Sequence, residues 1–268
     1  RLHRHAEPQR EQEGREGPVS GHVSRGPVQP ATPVAAFVTL LAAYSEQGWW
    51  PVTVGRAMRP TYRPGFRGRL TERQRGEICV GAILTQNTSW TNVERALGRL
   101  RESGIRTLAD ISALSARRLA TLIRPAGYFR QKARKLKIFA DHAGRRGGLG
   151  RWLAGPLAPL REELLGLWGI GPETADSILL YAGRRATLVV DAYTQRLASR
   201  LGWWRRAAYA QAQARLAASL PRDADVYAEF HALIVAHAKR HCRATPICQG
   251  CLFQEGCVHA RRAASRRA

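Results

Sequence analysis

The chain has 268 residues, with 43 lysines and arginines against 20 aspartates and glutamates, a formal net charge of +23. That length holds one or two domains with a sizeable core, and the charge favours a polyanionic partner, nucleic acid before an anionic membrane surface. No apolar run reaches the roughly 18–20 residues of a membrane span and no signal-peptide core is present, so a cytoplasmic, nucleoid-associated protein without a membrane partner is expected.

Residues 1–30 carry no aromatic side chain and are rich in Gly, Pro, Arg and Glu. Such a stretch cannot bury enough apolar surface to order itself, and it reads as a disordered leader. Order begins at "ATPVAAFVTLLAAYSEQG", where Thr32 suits a helix cap, Pro33 the first helical position and Gly48 the exit. A Gly-, Pro- and Arg-rich loop over 51–70 leads to "TERQ", a capping-box pattern at Thr71 and Gln74. Apolar residues then recur at helical spacing to Ile83 and Leu84, and again through Val93, Ala96, Leu97 and Leu100. Further helices are predicted at 107–112, 115–124, 130–142, 159–167, 173–183, 192–201, 207–219 and 223–240. One short strand signal, "ATLVV" at 186–190, directly precedes a helical run. Helical patterns joined by short connections predict an all-α fold.

The tail "CRATPICQGCLFQEGC" spaces Cys242, Cys248, Cys251 and Cys257 as C-x5-C-x2-C-x5-C. Persistent disulfides are not expected in the cytoplasm, so the four thiols need another purpose. Structural zinc sites usually pair two C-x2-C knuckles, which this loop lacks; one tight set with a single x2 pair favours a [4Fe–4S] cluster over zinc. Cys79 falls on an apolar helical face and reads as a core thiol.

In "LREELLGLWGIGPETADSILLYA" an amphipathic helix meets a Gly-Ile-Gly turn and a second helix begins, a helix–hairpin–helix pattern. Gly169 and Gly171 flank Ile170 and leave room for a phosphate to approach exposed N–H groups at a helix start. Eighteen residues after Glu173 comes "VVDAY", whose Asp191 opens the next helix. An aspartate there is favoured as a cap whatever else it does. "RQKARKLK" gathers three of the four lysines, with Lys132 and Lys135 read as backbone contacts to nucleic acid.

Hairpin, aspartate and terminal four-cysteine loop, in this order, resemble the endonuclease III family of helix–hairpin–helix DNA glycosylases over roughly residues 34–258. The resemblance implies two helical domains flanking a DNA-binding cleft. One, over 71–190, is a six-helix barrel with the hairpin at 159–183. The other joins 31–70 to 191–268 and carries the iron–sulfur cluster. It implies a monomer acting on double-stranded DNA that contains a damaged base, with Asp191 as the catalytic carboxylate. Two departures stand out: the first cysteine spacing is x5 where the family usually has x6, and the 51–70 loop is longer than usual.

In bifunctional members the Glu173 position holds a lysine whose amine forms a Schiff base and permits strand cleavage. A carboxylate cannot form an imine. The resemblance therefore implies a monofunctional enzyme using water, with Glu173 stabilising positive charge on the sugar, or else only capping its helix. Trp49 and Trp50 in "WWP" and Trp90 in "ILTQNTSW" resemble the 3-methyladenine branch, whose aromatics sandwich the flipped base. Electron-rich faces suit a cationic alkylpurine. Asn87 sits where the family carries the residue that fills the vacated duplex, with Gln86 able to share that role. Ala82 stands where an adenine-mismatch enzyme would carry its acidic residue. An endonuclease III-like enzyme for oxidised pyrimidines with little lyase activity, and a catalytically inactive damage-binding protein, remain the competing readings.

Overall fold

A computed structural model describes residues 31–265, so the expected leader lies outside the described residues. The fold is all-α, with thirteen α-helices among those residues. The first, α1 (Pro33–Tyr44), is capped by Thr32. Then come α2 (Glu72–Leu84), α3 (Trp90–Glu102), α4 (Leu108–Ala113), α5 (Ala116–Leu122), α6 (Phe129–Arg145) and α7 (Leu149–Trp152). The hairpin helices are α8 (Leu157–Leu165) and α9 (Pro172–Ser177), and α9 runs on into a π turn over Ile178–Ala182. The chain ends with α10 (Ala192–Leu201), α11 (Tyr209–Ser219), α12 (Ala224–Arg240) and α13 (Val258–Ser265).

Local chemistry explains the starts of these helices. At Thr71 the capping box is complete: its hydroxyl accepts from the Gln74 N–H while the Gln74 side chain accepts from the Thr71 N–H. Thr107 and Asp110 build a second box that the sequence reading did not single out. The short α7 and α13 were likewise not predicted, being too brief to show a periodic face. The short strand signal at 186–190 does not break the all-α pattern. The segment is extended, but no strand occurs among the described residues, where pairing is limited to one antiparallel bridge between Val52 and Thr61. Its backbone is satisfied by side chains instead, Gln213 Nε2 donating to the Leu188 carbonyl at 2.6 Å.

Helix α2 is the axis of the core. Ile78 to Leu84 is buried without a break, and this helix packs on α3, α6, α7, α9 and the π turn. Gly81 is there for a reason: a Cβ would lie 3.0 Å from Trp50 Nε1, so the missing side chain lets the indole lie against the helix. Helix α1 packs on α12, which α10 also contacts, while α13 covers α10.

One buried carboxylate ties the elements around the cleft together. Asp176 is fully buried and accepts two bonds from the Arg161 guanidinium, at 2.8 and 3.0 Å. Thr187 Oγ1 at 3.0 Å and Gln213 Nε2 at 2.9 Å also donate to it. The set links α8, α9, the extended 186–190 segment and α11. Removing one member would strand a buried charge, typically a cost of about 3–5 kcal/mol. Asp191 leaves this clamped segment directly.

Candidate active site

The 51–70 loop is anchored before it reaches the cleft. The Thr53 N–H donates to Glu77 Oε2 at 3.1 Å and its hydroxyl donates to Glu77 Oε1. On the other side of the tryptophan pair, the Gln47 N–H donates to Glu229 Oε1 at 2.6 Å. Trp49 and Trp50, joined by a cis peptide, are thus held between α2 and α12.

A cleft of about 660 Å³ is lined by Trp49, Trp50, Gln86, Asn87, Trp90, Glu173 and Asp191, which brings together residues far apart in the chain. Val189, Tyr193, Arg196, His231 and Lys239 complete much of its wall. The aromatic faces differ from a pair of parallel plates. Trp50 and Trp90 meet edge to face, 5.4 Å between ring centroids at 82°, and Trp49 meets Trp50 at 73°. Perpendicular packing sets the positive edge of one ring against the negative face of the next.

Asp191 is both cap and cleft residue. Its Oδ1 accepts from the Thr194 N–H at 2.7 Å and from the Thr194 hydroxyl at 2.8 Å, which consumes that oxygen in starting α10. Oδ2 faces His231 Nε2 at 3.5 Å. Burial alone would raise this carboxyl, but the His231 imidazole and the Thr194 donors more than reverse it, holding it below the ordinary carboxylate range. Glu173 behaves oppositely. Burial and then the charge of Asp191 push it up, with only His231 pulling it back. Two carboxyl groups in one cleft therefore have their proton affinities driven apart, the usual mark of divided roles.

The hairpin stands beside this cleft. Gly169 has a φ of +83°, and its carbonyl accepts from Gln86 Nε2 at 3.1 Å. Gln86 also donates to Thr174 Oγ1 at 2.9 Å and accepts from Lys135 Nζ. Gln86 is therefore committed to bracing the hairpin, whereas Asn87, exposed at a φ of +52°, is free to project. Ile170 is buried beneath the turn. A Cβ on Gly171 would meet nothing within 4 Å, so the ground before α9 is open to an incoming group.

Lys132 corrects the sequence reading. It is 2 % exposed, and its Nζ donates to the carbonyls of Leu84 at 2.9 Å and Ala126 at 2.7 Å. Carbonyls at the ends of two helical segments need donors, and this lysine supplies them from within the core. Lys137 similarly donates to Ser112 and Leu114 carbonyls. Of the three lysines in the run, only Lys135 reaches the hairpin. His231 and Lys239, both on α12, were missed as cleft residues: no local motif surrounds either, and only the packing of α12 brings them there.

The four tail cysteines line one cavity together with His237 and Phe253, and none is disulfide-bonded. Arg200 Nη1 donates to Cys242 Sγ at 3.2 Å, and the Cys257 thiol donates to the Arg200 carbonyl at 3.3 Å. Burial pushes the Cys251 thiol up, and Cys257, Cys242 and Cys248 add to that, so the four sulfurs feel one another. They are not drawn together as a single-ion site: among the described residues no three His, Cys, Asp or Glu side chains are so grouped. Cys79 is fully buried in the core, as expected.

Residues 80–222 match the model of the HhH-GPD superfamily base excision DNA repair protein. The chain belongs to this superfamily. It is a DNA glycosylase, and DNA is its partner. A Methanocaldococcus jannaschii protein named as a DNA repair glycosylase is 40% identical over 227 residues, covering 83% of this chain and 94% of its own. Endonuclease III of Thermotoga maritima is 27% identical over 69% of this chain and 83% of its own. Among solved structures, the H. pylori 3-methyladenine DNA glycosylase bound to 1,N6-ethenoadenine superposes with a TM-score of 0.60 at 26% identity. That match covers 76% of this glycosylase and 97% of the other chain. A non-covalent endonuclease III–DNA complex gives a TM-score of 0.66 at 19% identity, over 85% of this chain and 95% of that one, a likeness of fold.

Proposed function

We propose that this glycosylase is monofunctional, hydrolysing the glycosidic bond of alkylated purines such as 3-methyladenine in duplex DNA. The observation that carries the reading is Glu173 in the cleft wall with Asp191, at the place where a lyase needs an amine. Water is then the nucleophile. Asp191 is the catalytic carboxylate, its free Oδ2 stabilising charge as the sugar becomes oxocarbenium-like, with Glu173 as a second anion. An alkylated purine leaves as a neutral base, so no strong acid is required in the cleft. Trp49, Trp50 and Trp90 supply electron-rich faces for the cationic lesion. Asn87 fills the space left in the duplex, and the Gly169–Gly171 turn with Lys135 meets the phosphates. The protein works as a monomer in the cytoplasm, on the nucleoid.

Cys242, Cys248, Cys251 and Cys257 would hold a [4Fe–4S] cluster. Four thiols free of disulfides around one cavity supply the donor set, and their single C-x2-C pair lacks the second knuckle that structural zinc sites usually have. When bound, such a cluster serves as a staple for a loop with little core of its own.

A second reading, an endonuclease III-like enzyme for oxidised pyrimidines, is favoured by one observation: the amine of Lys239 lines the same cleft. Incubation with methylated and with oxidised duplexes, scored for abasic sites with and without hot alkali, separates the two. Base release from methylated DNA that yields strand breaks only after alkali supports the first. Breaks without alkali on oxidised DNA would replace it with the second.

A further inference from the structure

Asp191 is approached across the cleft by a histidine that is itself held from behind. His231 is 5 % exposed, and its Nδ1 lies 2.6 Å from the hydroxyl of Tyr181, which is also buried. The same hydroxyl is 3.2 Å from the Ala228 carbonyl. On the far side of the ring, Nε2 is buried without a hydrogen-bond partner and points at Asp191 Oδ2, 3.5 Å away. A buried orphan nitrogen aimed into a reaction cleft calls for an explanation.

Proton bookkeeping gives one. If Tyr181 donates to Nδ1, the neutral ring carries its proton on Nε2. If the ring is doubly protonated, Tyr181 donates to Ala228 and accepts from Nδ1, and Nε2 still carries a proton. In both states an N–H is directed at Asp191. The remaining tautomer, protonated at Nδ1 alone while Tyr181 donates to Ala228, would set the Nε2 lone pair 3.5 Å from a carboxylate oxygen and is disfavoured by that repulsion. At 3.5 Å the N–H contact is too long to be a strong hydrogen bond, so it aims and stabilises Oδ2 without capturing it. Because Thr194 already holds Oδ1, the carboxylate is fixed at one oxygen and electrostatically steered at the other.

We propose that His231, locked by Tyr181, is a positioning residue that keeps Asp191 Oδ2 directed at the reacting sugar and its water. The inference rests on Asp191 being the catalytic carboxylate. Nothing in the hairpin, the aspartate motif or the cysteine loop requires a histidine here. It arrives on α12, while Tyr181 comes from the π turn after α9.

The titratable and charged groups that line the cleft with Asp191 are Glu173 on α9, Tyr193 and Arg196 on its own helix, and His231 and Lys239 on α12, with Tyr181 of the π turn behind His231; the Arg196 guanidinium is turned to the Cys242 carbonyl. Removing the imidazole takes a stabilising partner from both Asp191 and Glu173, so the acidic limb of the rate profile moves to higher pH.

The test uses the full-length protein, single-turnover release from whichever of the methylated or oxidised duplexes the wild type turns over, and Kd for a duplex holding a tetrahydrofuran abasic-site analogue. His231→Leu is expected to slow release on the order of 10–100-fold with Kd unchanged. His231→Gln, which restores an N–H donor, recovers most of that rate. Tyr181→Phe, missing one oxygen, falls between. Leu and Gln variants both equal to wild type would overturn the proposal. So would equal losses of rate, Kd and melting temperature in both, which mark a merely structural histidine. Turnover by Asp191→Asn would instead remove the underlying assignment of Asp191. An inactive Asp191→Asn beside a fully active His231→Leu defeats the His231 inference alone.

Discussion

Lys132 Nζ donates to the carbonyl of Leu84 at 2.9 Å, closing the C-terminal end of α2 from within the core. Burial first, and then the charge of Lys135, lower this amine to about 8. Lys132→Met would keep the stem but orphan two buried carbonyls, each worth about 1–3 kcal/mol. The expected result is a lower midpoint in chemical denaturation with the salt dependence of DNA binding unchanged. The pH dependence has a definite sign. Between about pH 8 and 10.5 the unfolded chain binds more protons at this lysine than the folded one, so stability rises with pH there. The wild type should gain on Lys132→Met across that window, by up to about 3 kcal/mol. A constant difference would show that the amine is not perturbed.

This lysine also marks where sequence reading ends. "RQKARKLK" looks like a basic helix face, and nothing in its spacing says that one ammonium turns inward to serve two carbonyls. Signals that act locally were legible: the Thr71–Gln74 box, the glycine turn, the cap at Asp191. So was the convergence of both tryptophan segments and both carboxyl groups, because a motif order stood in for tertiary contact. His231 and Lys239 were not legible, since helical periodicity gives the buried face of α12 but not its neighbours. The 186–190 segment, for all its β-branched residues, follows an extended path beside Gln213 with no partner strand, in keeping with the all-α expectation.

Asp191→Asn keeps an oxygen for the Thr194 donors, so α10 should still start normally and DNA affinity should persist. Base release should be lost, because the anion opposite the developing cation is gone. Glu173→Gln separates the second carboxyl group. Glu173 is raised and Asp191 depressed, so the acidic limb of the wild-type profile reports Glu173. In Glu173→Gln that limb should move to lower pH, since the remaining carboxyl group is the depressed one and has lost a like-charged neighbour. An unmoved limb would confine Glu173 to helix capping.

The cysteine loop makes a colour prediction. The purified protein should be brown and carry about four irons per chain. Cys251→Ser should lose visible absorption and solubility together, because the four sulfurs share one cavity and the variant removes one of the four donors. A colourless protein with stoichiometric zinc would defeat the assignment.

Borohydride decides between water and an amine. An imine forms only where an uncharged amine can reach the sugar carbon. The motif position holds Glu173, while Lys239 lines the cleft from α12 with its Nζ 6.0 Å from the centre of the Trp49 ring. It comes from α12 and not from the motif position on α9, which carries a carboxylate. Wild type incubated with substrate duplex and borohydride should therefore give no covalent complex, and Lys239→Ala should leave base release intact. Glu173→Lys places an amine beside Asp191, with α9 holding its backbone, and should yield a trappable complex. A complex in the wild type that vanishes in Lys239→Ala would make α12 the source of a lyase nucleophile and end the monofunctional reading.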